Sequence, residues 1–108
     1  MRRGDIYMVS LDPTEGREQR GSRLVLIVSP TAFNEATSLP VICPITNGGD
    51  FARSLGFSVT VTGIKTTGIV RCDQPCVLDL VARNGRKVDA LPNPLMDEVL
   101  AKVATLFA

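Results

Sequence analysis

Two side chains of opposite charge, Arg71 and Asp73, stand two positions apart in a stretch rich in branched apolar residues. Side chains of an extended strand alternate between its faces, so Arg71 and Asp73 are predicted to share one face. Val70 and Cys72 then occupy the other. A guanidinium binds phosphate through two hydrogen bonds, and an ionised carboxylate accepts protons. The pair therefore predicts either an acid–base or anion-stabilising dyad, or a salt bridge that is only structural.

A second polar cluster lies at 16–21, where two glycines bracket four polar residues: Arg17, Glu18, Gln19 and Arg20. This composition suits a loop that closes over an anion, and the neighbouring positive charge would keep Glu18 ionised. A solvated surface loop is the alternative. The surrounding polar stretch is about a dozen residues long, which is uncommon for a loop without a function.

A third polar group lies at the predicted end of another strand, where Thr46 and Asn47 precede two glycines. These residues offer hydrogen-bond donors and acceptors. Phe51 and Phe57 offer faces on which a base could stack, although both also fit a hydrophobic core. Aromatic residues make up only 5% of the chain, which excludes an extended stacking platform.

Strand-like segments must position these groups. They are rich in Val, Ile and Thr, are separated by turn residues, and lie at 5–10, 24–29, 41–46, 57–62, 68–72, 77–82 and 87–91. Asn84 and Gly85 predict a two-residue hairpin turn, because both central positions of such a turn need positive φ.

Helical periodicity is clear near the end of the chain, over 94–107, where apolar residues recur at intervals of three and four. Asn93 is the predicted N-cap and Pro94 suits the first helical position. A shorter helical turn is predicted over 31–37. The elements together predict a mainly β fold, a small barrel-like antiparallel sheet closed by a C-terminal α-helix.

Composition narrows the class of protein. The 108 residues have the length of one domain, 1–108, and the formal net charge of +1 argues against a globally basic nucleic-acid binder. Nine of the twelve positive residues are Arg, and Arg17, Arg20 and Arg23 fall within seven positions. Because the chain has no His, catalysis would have to use other side chains.

The three cysteines, Cys43, Cys72 and Cys76, make an odd number and predict no disulfide framework. Without His, the usual mixed zinc sites are also excluded, so no metal and no other cofactor is expected. No apolar run approaches the roughly 20 residues of a membrane helix, and the basic-then-acidic start does not resemble a signal peptide. The sequence predicts a cytoplasmic protein with no membrane partner.

Several segments resemble the PemK/Kid toxins of the wider MazF-type family. They are 3–6, 11–21, 25–30, 33–34, 51–53, 56–57 and 66–75. The run from Arg71 to Pro75 and the pair Glu18 and Gln19 are specific in combination. The likeness extends from near residue 2 into the C-terminal helix without a large gap.

The resemblance implies an SH3-like barrel of the CcdB/PemK toxin type, a homodimer, and the toxin of a type II toxin–antitoxin system. Such a toxin is a metal-independent, ribosome-independent, sequence-specific endoribonuclease. It cleaves single-stranded mRNA by attack of the 2′-OH, which leaves a 2′,3′-cyclic phosphate. The implied partners are the RNA substrate and a cognate PemI/Kis-like antitoxin whose C-terminal tail covers the RNA site. Operator DNA would be bound only through the antitoxin complex.

The same resemblance assigns roles to residues. Asp73 would be the base and Arg71 the phosphate clamp, with Arg17 and Glu18 completing the catalytic set. Arg17 stands where several relatives carry His. The implied RNA-binding residues are Gln19, Arg20, Thr46, Asn47, Gly48, Arg53, Phe57, Thr67 and Gln74.

Two other functions remain open from the sequence. One is a toxin scaffold with weakened catalysis that binds RNA or antitoxin, which Arg17 keeps open. The other is a CcdB-like gyrase poison. Those relatives act through an aromatic C-terminal tail, whereas this chain has no Trp and ends in Leu106, Phe107 and Ala108.

Overall fold

The computed structural model describes residues 1–10, 21–47 and 55–108. The described residues form the strands β1 (Asp5–Ser10), β2 (Ser22–Ile27), β3 (Val41–Thr46), β4 (Ser58–Thr60), β5 (Ile69–Arg71), β6 (Cys76–Val77) and β7 (Arg86–Ala90). They also form the helices α1 (Thr31–Thr37) and α2 (Asn93–Ala104), and a 3-10 turn (Thr105–Phe107) follows α2. The strands predicted at 5–10 and 41–46 are confirmed at both ends.

The strands form one antiparallel sheet in the order β4-β5-β3-β2-β1-β7, and β6 pairs with the other end of β3. Alternation gives the sheet two apolar faces. Ile6, Leu26, Cys43 and Val70 pack with α2 on one face, and Val9, Val25, Ile27, Ile42 and Leu80 cluster on the other. Thr66, in the loop after β4, is hydrogen-bonded to Asp89 of β7, which joins the two ends of the strand order. The predicted small barrel with a C-terminal helix is confirmed.

The partner segment of β3 is interrupted where the charged pair lies. Ile45 pairs with Val70 and Ile42 pairs with Cys76, so two residues of β3 face five residues, 71–75, of its partner. The three additional residues must leave the ladder. Arg71 stays paired with Ser58 of β4, and Asp73 lies in this local excursion directly after the end of β5.

The predicted hairpin at Asn84 and Gly85 is wrong. β6 pairs with β3 and β7 pairs with β1, so the two strands flanking this turn are not partners of each other. Asn84 does have the expected positive φ of 54°, but it ends a wider turn in which the Gly85 amide donates to the Leu80 carbonyl. The strand predicted at 77–82 ends early for the same reason.

The C-terminal helix α2 begins one residue earlier than predicted. Pro92, not Asn93, is the N-cap, and its carbonyl accepts hydrogen bonds from the amides of Leu95 and Met96. The apolar stripe is confirmed as far as its buried members Met96 and Val99, whereas Phe107 at its end is 79% exposed. Neither helix in the described part of the chain combines the length and apolarity required to cross a membrane.

Candidate active site

Arg71 and Asp73 form a two-point ion pair at the end of β5. Arg71 Nε donates to Asp73 Oδ1 at 3.0 Å and Nη2 donates to Oδ2 at 2.9 Å. Their side chains are 17% and 24% exposed, whereas Val70 and Cys72 are fully buried. The predicted division of faces is therefore confirmed. Both charged groups can be reached from solvent.

Each partner stabilises the charged state of the other. The hydrogen bonds from Arg71 lower the pKa of Asp73 below its ordinary value, more than partial desolvation raises it. The same hydrogen bonds raise the pKa of Arg71. While the Arg71–Asp73 ion pair is formed, Asp73 is consequently ionised but is a weaker base than usual. The Arg71 guanidinium is a still poorer proton donor than usual.

Neighbouring backbone fixes the pair. Arg71 is the register partner of Ser58 in β4, and the Cys72 amide donates to the Phe57 carbonyl at 2.9 Å. The Gln74 amide closes a turn onto the Arg71 carbonyl at 3.2 Å. Phe57, half-buried, thus lies beside the segment that carries both charges. Gln74 is exposed on the turn.

Thr46 and Thr67 are held at the opposite end of β5. Thr46 pairs with Ile69, so it shares a face with Ile69 and Arg71. Gly68 has a φ of +129°, and a Cβ there would lie 2.8 Å from the Thr46 carbonyl oxygen. Only glycine permits this approach, which brings exposed Thr67 next to the end of β3. Two residues of strand, roughly 7 Å, separate this end from Arg71.

Asn47 is placed differently. It follows Thr46, is exposed, and borders a cleft of about 360 Å³ whose other lining residues include Met8, Leu24 and Ile45. Those three are paired across β1, β2 and β3 on the face opposite to Arg71. The structure therefore brings Arg71, Asp73 and Thr46 to one face of the sheet. It places Asn47 at the edge of a cleft on the opposite face.

The remaining predicted site residues lie outside the described residues. They are Arg17, Glu18, Gln19, Arg20, Gly48 and Arg53, and Phe51 also lies there.

Arg23 was not among the predicted site residues, and the structure places it on the same face as Arg71. Arg23 pairs with Val9, and Val25, two residues later, pairs with Pro44, so these side chains point to one side of the sheet. Alternation along β2 was the pattern that could have revealed it. Asp89, which holds the loop containing Thr67, gave no local sequence pattern.

Among residues 1–10, 21–47 and 55–108, no three His, Cys, Asp or Glu side chains are grouped closely enough to hold a metal ion. Cys43, Cys72 and Cys76 are free thiols, and Cys76 is exposed.

Known proteins are similar to this chain over almost its whole length. The family of PemK-like, MazF-like toxins of type II toxin–antitoxin systems matches residues 2–107. Endoribonuclease PemK of Escherichia coli is 54% identical over 98% of this chain and 81% of its own length. Endoribonuclease toxin ChpB of Escherichia coli K12 is 36% identical over 94% of this chain and 89% of its own.

Solved structures agree with the sequence comparison. A crystal structure of MazE–MazF from Deinococcus radiodurans superimposes with a TM-score of 0.87 at 29% identity, covering 99% of this chain and 95% of the matched one. A crystal structure of MazF from the same organism gives a TM-score of 0.80 at 28% identity, with 99% and 96% covered. The sequence match, the fold and the exposed Arg71–Asp73 pair lead to one conclusion: the chain belongs to the PemK-like, MazF-like toxins of type II toxin–antitoxin systems.

Proposed function

We propose that this endoribonuclease toxin cleaves single-stranded mRNA at the Arg71–Asp73 pair, without a metal ion and without the ribosome. The observation that carries the proposal is the two-point pair itself, which is ordered by β5 and open to solvent. A guanidinium that already presents two parallel N–H groups to a carboxylate has the geometry to present them to a phosphate.

The chemistry uses the nucleophile that RNA carries. Asp73 accepts the proton of the 2′-OH, whose oxygen attacks the adjacent phosphorus. The bond from phosphorus to the 5′-oxygen of the next nucleotide breaks, and that oxygen takes up a proton from water. The products are a 2′,3′-cyclic phosphate and a 5′-OH. Arg71 stabilises the negative charge that develops on the phosphoryl oxygens.

Substrate binding would also activate the base. The Arg71 hydrogen bonds lower the pKa of Asp73 in the free protein. A phosphate that takes over the guanidinium removes those bonds from the carboxylate, and the pKa of Asp73 then rises towards its ordinary value. The base is therefore strengthened when the scissile phosphate is in place.

Further residues are proposed to act around this pair. Arg17 and Glu18 complete the catalytic set, with Arg17 holding phosphate and Glu18 sharing the role of base. The bases of the substrate are read by hydrogen bonds and stacking, as is usual for single-stranded RNA. The proposed contact residues are Gln19, Arg20, Thr46, Asn47, Gly48, Arg53, Phe57, Thr67 and Gln74.

The proposed partners follow from the family. A cognate antitoxin of the PemI/Kis type would cover the RNA site with its C-terminal tail, and operator DNA would be contacted only through that complex. The MazE–MazF complexes among the similar structures support an antitoxin partner. A homodimer is supported by Leu106 and Phe107, which are 38% and 79% exposed in the 3-10 turn after α2. We place the protein in the cytoplasm, where its mRNA substrate is found.

Digestion of a defined RNA in EDTA tests the reaction. We expect cleavage at a short recognition sequence, with 2′,3′-cyclic phosphate and 5′-OH ends that form equally well without divalent metal. RNA that is bound but not cut would instead indicate a weakened scaffold. Inhibition of gyrase without RNA cleavage would indicate the CcdB-like function.

Replacing the proposed base tests the assignment. Asp73→Asn keeps the size of the side chain but removes the proton acceptor, so kcat should fall by about 10²–10⁴-fold. Asp79→Asn is the control, because Asp79 is an exposed carboxylate in a different turn, bonded to the Ala82 amide. Circular dichroism should show both variants folded. Equal activity of the two variants would remove Asp73 from the mechanism.

A further inference from the structure

We propose that the cavity between Arg23 and Arg83 binds a nucleotide next to the scissile phosphate, with its base inside and its phosphate on the two guanidinium groups. This inference rests on the proposed function, and it adds a subsite outside the contact residues named above. The cavity has a volume of about 170 Å³ and is lined by Val9, Arg23, Val25, Ile42, Pro44, Cys76, Leu78 and Arg83.

The register of the sheet places this cavity beside the catalytic pair. Val9, Val25 and Pro44 belong to neighbouring strands, and their side chains share one face because Tyr7 pairs with Val25 and Val25 pairs with Pro44. In the order of the sheet, the strand after β3, which carries Pro44, is β5. In β5, Val70 pairs with Ile45 of β3, and Arg71 is the residue that follows Val70. Arg71 and the cavity floor are thus two strands apart, about 10 Å, on one face of the sheet.

The charge of the cavity favours an anion. Of the described residues that line it, two are arginines and none is acidic. Arg83 Nη1 donates to the Ser10 carbonyl at 3.4 Å, which anchors that side chain at the rim. Arg23 is exposed near the start of β2, and the part of the chain that the structure describes gives it no carboxylate within ion-pair distance. Two guanidinium groups above an apolar floor attract a phosphate and exclude other cations.

The size and floor of the cavity favour a single flat, mostly apolar group. Sites for drug-sized ligands have volumes of about 300–1,000 Å³, so a cavity of about 170 Å³ accepts only a fragment such as one nucleobase. Its floor is aliphatic, from Val9, Val25, Ile42 and Leu78. A base bound there gains from burial, and its edge remains open towards the arginines. A nucleotide has a base for the apolar floor and a phosphate for the arginines, whereas a free inorganic anion has only the negative charge.

Arg23→Gln tests the phosphate contact. Binding is measured to an RNA that carries a 2′-deoxy nucleotide at the mapped cleavage position, because this substrate binds but has no nucleophile. We expect about tenfold weaker binding at low salt, and a slope of log Kd against log salt reduced by about 0.7. Arg86→Gln is the matched control, since Arg86 is exposed on β7 and pairs with Met8 on the opposite face. It should change neither quantity. Equal affinity of the two variants would overturn the proposal.

Alkylation of Cys76 tests the base pocket without a mutation. Cys76 lines the cavity and is exposed, whereas burial raises the pKa of Cys43 to about 12 and that of Cys72 to about 11. N-Ethylmaleimide should therefore label Cys76 selectively. We expect the uncleavable RNA to slow this labelling at least fivefold, and the labelled protein to bind that RNA more weakly. An abasic nucleotide at the occupying position should abolish the protection. Unchanged labelling in saturated complex would overturn the inference.

Two other outcomes assign the cavity elsewhere. If protein labelled at Cys76 cleaves RNA normally but is no longer inhibited by its antitoxin, a side chain of the antitoxin occupies the cavity. A change in sedimentation mass on labelling would place the cavity in a contact between subunits. Either result overturns the nucleotide subsite while wild-type cleavage in EDTA still stands, so failure of this inference is distinct from failure of the proposed function.

Discussion

Arg71 holds Asp73 with the same group that is proposed to bind phosphate, and only an arginine suits both contacts. Its planar fork binds both carboxylate oxygens of Asp73 at 3.0 and 2.9 Å, which fixes the carboxylate and lowers its pKa. The same fork matches two oxygens of a phosphate. A lysine would keep the positive charge but would offer a single, mobile point of contact. The geometry of the pair therefore matters as much as its charge.

Arg71→Lys should consequently raise the pKa of Asp73 in the free protein. Because the hydrogen bonds from Arg71 are the main cause of the lowered value, losing the fork moves the titration towards the ordinary 3.8. The ¹³C chemical shift of the Asp73 carboxyl group, followed during acid titration by NMR, measures this directly. Arg86→Lys should leave that titration unchanged. Coincident titrations in wild type and Arg71→Lys would show that the pair does not control the carboxylate.

At the scale of elements, the junction of β3 with β5 depends on one glycine. Gly68 combines positive φ with a Cβ position 2.8 Å from the Thr46 carbonyl oxygen, so any side chain forces the strands apart. Gly63 has a comparable positive φ of +83°, but a Cβ there would meet nothing within 4 Å. Comparing the same substitution at the two positions therefore distinguishes the cost of backbone strain from the cost of steric overlap.

Gly68→Ala should therefore destabilise the protein more than Gly63→Ala. Both substitutions carry the cost of positive φ, about 1–3 kcal/mol, and only the first adds an overlap worth about 1–3 kcal/mol more. Urea unfolding curves of the two variants give the difference. RNA cleavage by Gly68→Ala, measured where the protein is folded, should also fall, because Thr46 and Thr67 lose their spacing. Equal free energies of unfolding would show that β3 can shift to make room for a side chain at position 68.

The elements also show what the sequence could and could not predict. Alternation is a local rule, and it correctly divided Arg71 and Asp73 from Val70 and Cys72. The excursion at 71–75 was not predictable, because it depends on where Cys76 meets Ile42 in another strand. Asn84 and Gly85 misled for the same reason: Asn84 has the expected positive φ and Gly85 does not, and the strands around them paired with β3 and β1 instead of with each other.

On the scale of the whole molecule, two side-chain contacts close the barrel. Asp89 of β7 accepts hydrogen bonds from the Thr66 amide at 3.0 Å and its hydroxyl at 2.8 Å, across 23 positions of sequence. Lys102 of α2 donates to the Ser58 carbonyl at 2.8 Å and fastens the helix to β4. Both contacts hold the strands that carry the proposed RNA-binding face. Neither was evident from the sequence, since each joins residues far apart in the chain.

Asp89→Asn should cost about 1 kcal/mol at neutral pH, a modest value because solvent screens this partly exposed carboxylate. The bonds from Thr66 lower the pKa of Asp89, so its contribution is complete above its ordinary value of 3.8 and is lost as the pH falls through the lower folded-state value. Urea unfolding at several pH values should show the two proteins converging in acid. Asp97→Asn, on the exposed face of α2, is the control and should stay within about 0.5 kcal/mol of wild type throughout. A constant gap for Asp89→Asn would mean that its charge is irrelevant.

Lys102→Met should loosen the barrel locally beside Arg71. Methionine retains the apolar length of the side chain but cannot donate to the Ser58 carbonyl, and Ser58 is the register partner of Arg71. The loss of one such bond costs about 1 kcal/mol. Because β4 is only three residues long, that cost should appear as local opening of the β4–β5 pair rather than as global unfolding.

Hydrogen exchange distinguishes these two cases in one sample. The Cys72 amide, bonded to the Phe57 carbonyl, should exchange about fivefold faster in Lys102→Met, since about 1 kcal/mol of protection is lost. The Asn34 amide, bonded to the Pro30 carbonyl in α1, should not change. Lys65→Met, in the exposed loop after β4, should alter neither amide. If the exchange rates of both amides rise together in Lys102→Met, Lys102 stabilises the barrel as a whole. It would then have no specific effect on the β4–β5 pair that contains Arg71.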